Sequence, residues 1–322
     1  MTSPVRSSSE PMKNPAGEAS RSASAPALLP WLATALAAAH LALVLATGLF
    51  RPEHLFADAL LGVLAWAGPG ARRFLKGGIA LWLTGTLLDN QRLWIHLRPA
   101  VHTGDLVAHE KALFGVNLAE WFASHTHVAL DVLCGLGYAT YLFEFFALLV
   151  VLFWRRDARF ERMAWTFFAV NLIGCITYVL YPAAPPWYVM MHGPGPADLS
   201  VAGSAAGAAR FDALIGVGFF KGFYSRNPNV FGAMPSLHTA YPTVALWQVW
   251  HLGKRWRIPA ALFAGLIGFS AVYLQHHYIL DVVGGVAAAL LACTAVDALA
   301  ALLKGRGVAE VGALATEGET HD

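Results

Sequence analysis

Charge is what this sequence has least of. Only 13% of its 322 residues are Asp, Glu, Lys or Arg, against ~25% in an ordinary soluble globular chain. With 57% hydrophobic residues and a mean hydropathy of +0.52, that deficit excludes a soluble globular class and points to an integral membrane protein. The net charge is only +2, and no basic block is interleaved with aromatics, so nucleic acid is excluded as a partner. Cysteine is also scarce: Cys134, Cys175 and Cys293 each lie inside an apolar run and form no C-x-x-C pair. They read as inert buried thiols, not a disulfide or a metal site, and say nothing of redox compartment. No apolar leader is seen at the start, because residues 1–26 are polar and rich in Ser, Ala and Pro; that stretch is expected to be a disordered tail and no signal peptide. There is no internal repeat.

What the chain does have is a series of long apolar runs. Runs at 28–50, 128–154, 163–180, 234–252, 258–274 and 278–303 approach or exceed the ~20 residues that cross a bilayer as helix. A shorter one at 55–67 leaves open whether it spans, re-enters or only lines a bundle, and 77–88 reads as another helix, short unless it continues past Asp89. Between residues 91 and 124 charged residues mix with aromatics, the pattern of an interfacial amphipathic segment. Residues 190–229 are rich in Gly, Pro and other small residues and read as loop. The expected fold is an all-α integral membrane bundle of about six to eight spans. A membrane-embedded catalytic domain is expected at 27–303, followed by a disordered tail at 304–322.

Basic residues cluster at Arg72–Lys76, Arg155–Arg162, Lys254–Arg257 and Lys304–Arg306. Placing all four clusters on the cytoplasmic side lets the intervening runs alternate without conflict. That topology brings Tyr181–Tyr188, Pro235–His238 and His276–His277 together at the opposite, external face of a multi-pass protein in a plasma or inner membrane.

Those stretches carry the chemistry. His277 and Asp281 are four residues apart, one turn apart on one helix face. An imidazole oriented by a carboxylate is a nucleophile or base, and an ionisable pair at a membrane edge is costly to keep without a function. His276 is adjacent and points elsewhere. His238 follows a Pro-Ser-Leu break and supplies a second imidazole. Ser236 is a plausible N-cap, at a helix start whose free N–H groups suit an anionic phosphate. A metal reading fits less well, because the outer loops offer few carboxylates or thiolates; no metal and no cofactor is expected. Glu144 and Asp131, inside an apolar run, are expected to face the bundle interior, bound to a polyol hydroxyl or to a buried partner.

Pro235-Ser-Leu-His238 followed by His276-His-Tyr-Ile-Leu-Asp281 resembles the type-2 phosphatidic acid phosphatase superfamily. Ala184-Pro-Pro-Trp-Tyr188 and Ala233-Met-Pro-Ser-Leu-His238 are similar to its inositol phosphorylceramide synthase branch, and the resemblance covers roughly residues 76–303. It implies metal-independent chemistry in which His277 attacks phosphorus, Asp281 fixes its ring, and His238 protonates the leaving oxygen and then activates the acceptor. The partners it implies are a lipid phosphate donor and a lipid hydroxyl acceptor. Two departures stand out. The family's lysine seven residues before the arginine of Arg98-Pro99 would fall at Gln91, and the arginine six residues before the nucleophile falls at Ala271. Lys221 and Arg226 are the candidates to rebuild this phosphate clamp. Pro186, Trp187 and Tyr188 are expected to shape a substrate entrance. Transfer to a lipid hydroxyl is the leading expectation; hydrolysis of a lipid or polyprenyl phosphate, and a non-catalytic lipid-binding role, are the alternatives. The oligomeric state is left open.

Overall fold

The computed structural model describes residues 28–318, with side chains to Leu303. The expected tail at 1–26 lies outside the described residues. The tail expected at 304–322 lies outside the described side chains, though its backbone continues as helix to Gly318 instead of ending at Leu303. The described residues form helices joined by turns and loops, with isolated bridges in place of strands, and they fall into two compact units divided after Gly68.

The first unit is a helical hairpin of α1 (Leu28–Ala46) and α2 (Pro52–Trp66). His40 Nδ1 contacts the Asp58 carboxylate at 2.9 Å, with both side chains almost fully buried. Inside apolar helices such groups are retained only when they satisfy one another. Trp31 meets Trp66 edge to face at 4.9 Å, and the Trp66 indole donates to Thr34 Oγ1 at 3.1 Å.

The second unit opens with α3 (Pro69–Asp89) and two short helices, α4 (Asp105–Phe114) and α5 (Leu118–Ser124). Two long helices follow, α6 (Val128–Trp154) and α7 (Arg159–Leu180). The connection onward holds α8 (Pro186–His192), α9 (Ala209–Ile215) and α10 (Phe219–Tyr224), before α11 (Leu237–Val249), α12 (Lys254–Tyr273) and α13 (Ile279–Gly318). Among the described residues, five helices are long and apolar enough to cross a membrane: α1, α6, α7, α12 and α13. Helix α3 carries Arg72, Arg73 and Lys76, and α11 is only 13 residues long. Helix α11 nevertheless packs against α6, α7, α12 and α13 and is buried on every side, as Ala240, Tyr241, Val244, Ala245 and Val249 are. A helix apolar all round belongs at the centre of a bundle.

Two stretches differ from the sequence reading. Residues 91–124, expected to lie at an interface, pack onto the bundle: the Glu110 side chain is fully buried and accepts N–H bonds from Leu118 (3.0 Å) and Ile279 (2.8 Å). The expected loop at 190–229 contains α9 and α10, because the buried Asp212 carboxylate accepts the N–H groups of Phe220 and Lys221 at the start of α10. Such an anionic cap is legible only once its partner segment is known.

The bundle has two distinct ends. At one, Arg73 donates to the Phe153 carbonyl (3.1 Å), Arg159 donates to the Gln248 carbonyl (3.2 Å), and Trp165 donates to the Lys76 carbonyl (3.0 Å). The basic clusters at Arg72–Lys76, Arg155–Arg162 and Lys254–Arg257 thus share this end. At the other end, the start of α6 meets the end of α12 through the Tyr273 hydroxyl, which accepts the His127 N–H at 3.1 Å and donates to Asp131 at 2.9 Å. The starts of α11 and α13 meet there too. A Cβ on Gly285 would lie 2.2 Å from the Ser236 carbonyl, so only glycine lets these backbones approach as they do. That approach lets Ser236 N–H donate to the Asp281 carbonyl at 2.9 Å.

Candidate active site

His277 lies in the turn between α12 and α13. The N–H groups of His276 and His277 both bond to the Ala271 carbonyl at 3.0 Å, and Gln275 takes a positive φ of 60°. His277 therefore precedes its helix, and its ring reaches sideways. Nδ1 lies 2.9 Å from the Ala233 carbonyl and 3.5 Å from Asp281 Oδ2. Asp281 Oδ2 instead accepts the Tyr278 N–H at 2.8 Å, which ties the turn down. The expected one-face pair is thus replaced by a nearer main-chain acceptor with the carboxylate behind it.

That carbonyl settles the protonation pattern. A carbonyl only accepts, so His277 Nδ1 is the protonated nitrogen and Nε2 carries the lone pair. His238 Nδ1 lies 3.1 Å from this Nε2 and must donate to it. His238 Nε2 then accepts, and the Tyr224 hydroxyl at 3.3 Å donates. Burial pushes the Tyr224 hydroxyl well above its ordinary range, which keeps its proton in place. Tyr138 stacks on His238 with ring centroids 4.5 Å apart and holds its plane.

The Ala233 carbonyl is itself positioned by main chain. His102, Ala183 and Gly232 form consecutive parallel bridges, with Ala184 N–H donating to the His102 carbonyl and Ala233 N–H to the Ala183 carbonyl. The Ala-Ala-Pro-Pro element therefore works as a small backbone clamp. Pro186 and Tyr188 are packed inside, Tyr188 against Phe231 at 5.0 Å, and do not form an opening. Trp187 alone of the three lines a recess beside the histidines.

His238 and His277 lie in the wall of a cavity of about 720 Å³, with Gln91, Arg226, Asn227 and Asn229 around the polar part and Tyr178 and Tyr241 among the apolar part. Arg226 lines this cavity; Lys221 does not, and its side chain is exposed. Ser236 does not line it either. It is fully buried, with its hydroxyl capping α11 through the Thr239 N–H, because the cap lies inside the bundle where α11 and α13 meet. Gln91, in the place of the expected lysine, accepts from Asn229 at 3.3 Å, and Asn229 accepts from Arg98 at 3.3 Å. Ala271 is fully buried, so nothing at that position reaches the cavity. Asp131, read as facing the bundle, pairs with Arg210 at 2.7 Å.

Sequence reading missed Tyr224, Tyr138 and the Ala233 carbonyl. The first two carried no motif, and a carbonyl has no side-chain signal at all. Among the described residues, no group of three or more His, Cys, Asp or Glu is arranged to hold a metal ion.

Comparison with known proteins follows the same lines. Residues 105–295 match the PAP2 superfamily profile. The phosphoinositol dihydroceramide synthase of Bacteroides thetaiotaomicron is 37% identical over 258 residues, covering 75% of this chain and 82% of the relative. The inositol phosphorylceramide synthase of Candida albicans is 34% identical over 58% of this chain and 40% of the relative. The inositol phosphorylceramide synthase catalytic subunit of Schizosaccharomyces pombe is 33% identical over 60% and 46% respectively. The chain thus spans less than half the length of these two fungal relatives. No solved structure matches it.

Proposed function

The chain belongs to the PAP2 superfamily, and from that membership we propose that it is a membrane phosphotransferase moving a phosphoryl-alcohol group, such as inositol phosphate, from a phospholipid to a lipid hydroxyl. The observation that carries this reading is the His277 ring: Nδ1 is spent on the Ala233 carbonyl, and the Nε2 lone pair is held by His238 at the wall of the cavity that both rings line. In the first half-reaction Nε2 attacks phosphorus, a P–N bond forms, and the bond to the diacylglycerol oxygen breaks. His238, neutral in the unliganded site, takes up a proton as the anionic donor binds and gives it to that oxygen. In the second half-reaction neutral His238 takes the proton of the acceptor hydroxyl. The acceptor oxygen attacks phosphorus, the P–N bond breaks, and both histidines return to their starting state.

Positive charge grows on the His277 ring as the P–N bond forms. The Ala233 carbonyl and the Asp281 carboxylate, both on its Nδ1 side, stabilise that charge. Arg226 is the one cation lining the cavity among the described residues and is assigned to the phosphoryl oxygens, with Asn227 and Asn229 as neutral donors. The names of the relatives supply the head group and the acceptor class, an inositol phosphate and a ceramide-type lipid. The protein is multi-pass, and the catalytic end is assigned to the external side of a plasma or inner membrane, opposite the basic end.

The test is a mass-spectrometric lipid assay on purified protein with chelator present. Phosphatidylinositol and a ceramide are offered together, and phosphatidic acid separately. A new inositol-phosphate lipid, absent in His277→Ala, is the expected result. Free phosphate from phosphatidic acid without any transfer product would make the enzyme a hydrolase instead.

A further inference from the structure

Beside the proposed nucleophile lies a smaller recess that shares His238, His277, Asn227 and Asn229 with the catalytic cavity and adds His276, to which the two half-reactions give no part. Its cavity volume is about 60 Å³, and its walls include Trp187, Ser204, Asn227, Asn229, His276 and His277. His276 is 5% exposed, yet its Nε2 finds no hydrogen-bond partner among the described residues. Buried polar atoms are almost always satisfied, so an orphan at the wall of a recess calls for a ligand. Its other nitrogen faces the Ala205 carbonyl. Nδ1 therefore carries the proton, and Nε2 is an acceptor only. Tyr224 and Tyr138 stack on the ring at 4.3 Å and 5.5 Å and hold this orientation. Burial, with the neighbouring His277 adding to it, pushes the imidazole down to about 3, so it stays neutral at ordinary pH.

An acceptor at this point cannot take a phosphoryl oxygen, which is also an acceptor. It takes a donor. The volume admits about two water-sized groups, at ~30 Å³ each, which suits the hydroxyl edge of a polyol ring. Resting on the phosphotransferase reading above, we propose that this recess receives a hydroxyl of the polyol head group esterified to the donor phosphorus, with His276 Nε2 as its acceptor. His276 then decides which head groups are transferred, while His277 and His238 perform the transfer.

The experiment measures kcat/KM on the full chain with a ceramide acceptor and a series of donors: phosphatidylinositol and its analogues lacking one inositol hydroxyl each. For the wild type, removal of one particular hydroxyl is expected to cost about 10- to 100-fold, the effect of leaving one buried polar group unpaired. His276→Asn keeps a donor in the place of Nδ1 and lacks the far nitrogen. It is expected to lose a similar factor with phosphatidylinositol and to be indifferent to that same deoxygenation. His276→Gln, with an acceptor oxygen near the place of Nε2, is expected to recover part of the discrimination. Wild-type turnover that is insensitive to every deoxygenation overturns the proposal without any variant, as does His276→Asn retaining the full wild-type penalty. Absence of any wild-type transfer from phosphatidylinositol overturns the phosphotransferase reading itself, and this proposal with it.

Discussion

His277 and His238 form one hydrogen-bonded unit whose polarity is set by a single main-chain carbonyl, at Ala233. His277→Ala is expected to abolish transfer, and His238→Ala to lower kcat by about 10²- to 10⁴-fold, the usual worth of a positioned acid–base group. Asp281 lies 3.5 Å from the ring while its Oδ2 anchors the Tyr278 N–H. Asp281→Asn is therefore expected to reduce kcat less than His277→Ala does and to lower the thermal midpoint as well. His276 supplies a pH test that needs no substrate. The unfolded chain protonates an ordinary imidazole near pH 6.5, whereas the folded one does so only near 3. Between these values the unfolded state binds more protons, so the stability contributed by this group is full above pH 6.5 and is lost as pH falls toward 3. Thermal midpoints measured across that window should fall more steeply for the wild type than for His276→Asn.

At the scale of elements, the site depends on how closely α11, α13 and the short α4 approach one another. Glu110 on α4 bonds the first N–H of α13, at Ile279, and the first N–H of α5, at Leu118. Glu110→Ala leaves two donors unpaired at helix starts, each worth ~1–3 kcal/mol where water cannot replace the lost partner. A lower thermal midpoint is expected together with a lower kcat, since Ile279 lies two residues from His277. Gly285→Val drives a side chain into the Ser236 carbonyl. Overpacking of this kind costs ~1–3 kcal/mol and also separates His238 from His277, so activity should fall further than stability. Neither Glu110 nor Gly285 stood out in the sequence: the first was one charge among several in a mixed stretch, the second one glycine in a Gly-Gly pair. What makes each of them matter is a partner more than forty residues away in sequence.

The second unit is polarised end to end, with basic residues gathered at one end of the bundle and the histidines at the other. The assigned orientation can be read by labelling. The three native cysteines are buried and give little background, so Ser200→Cys and Lys254→Cys report the two ends. A membrane-impermeant maleimide applied to intact cells should label the first and should reach the second only after permeabilisation. The reverse pattern would turn the enzyme round in its membrane.

Composition and order along the chain were enough for the class, the helical bundle and the candidates for the proposed transfer chemistry. Apolar runs in a bilayer have no option but helix, and polar groups stranded at their ends announce themselves by their cost. His238, His277 and Asp281 stood out as candidates for that reason. The tertiary structure alone decided which nitrogen of His277 carries the lone pair, because the choice falls to the Ala233 carbonyl, and every residue has a carbonyl. It also decided that Ser236 caps a helix while Arg226 faces the cavity, since a hydroxyl or a cation in a loop reads the same until the fold gives it a direction. His276 is the clearest case: adjacent to the proposed nucleophile in sequence, it comes to wall a recess only because the fold brings Trp187, Ser204 and Asn229 to it from three separate stretches.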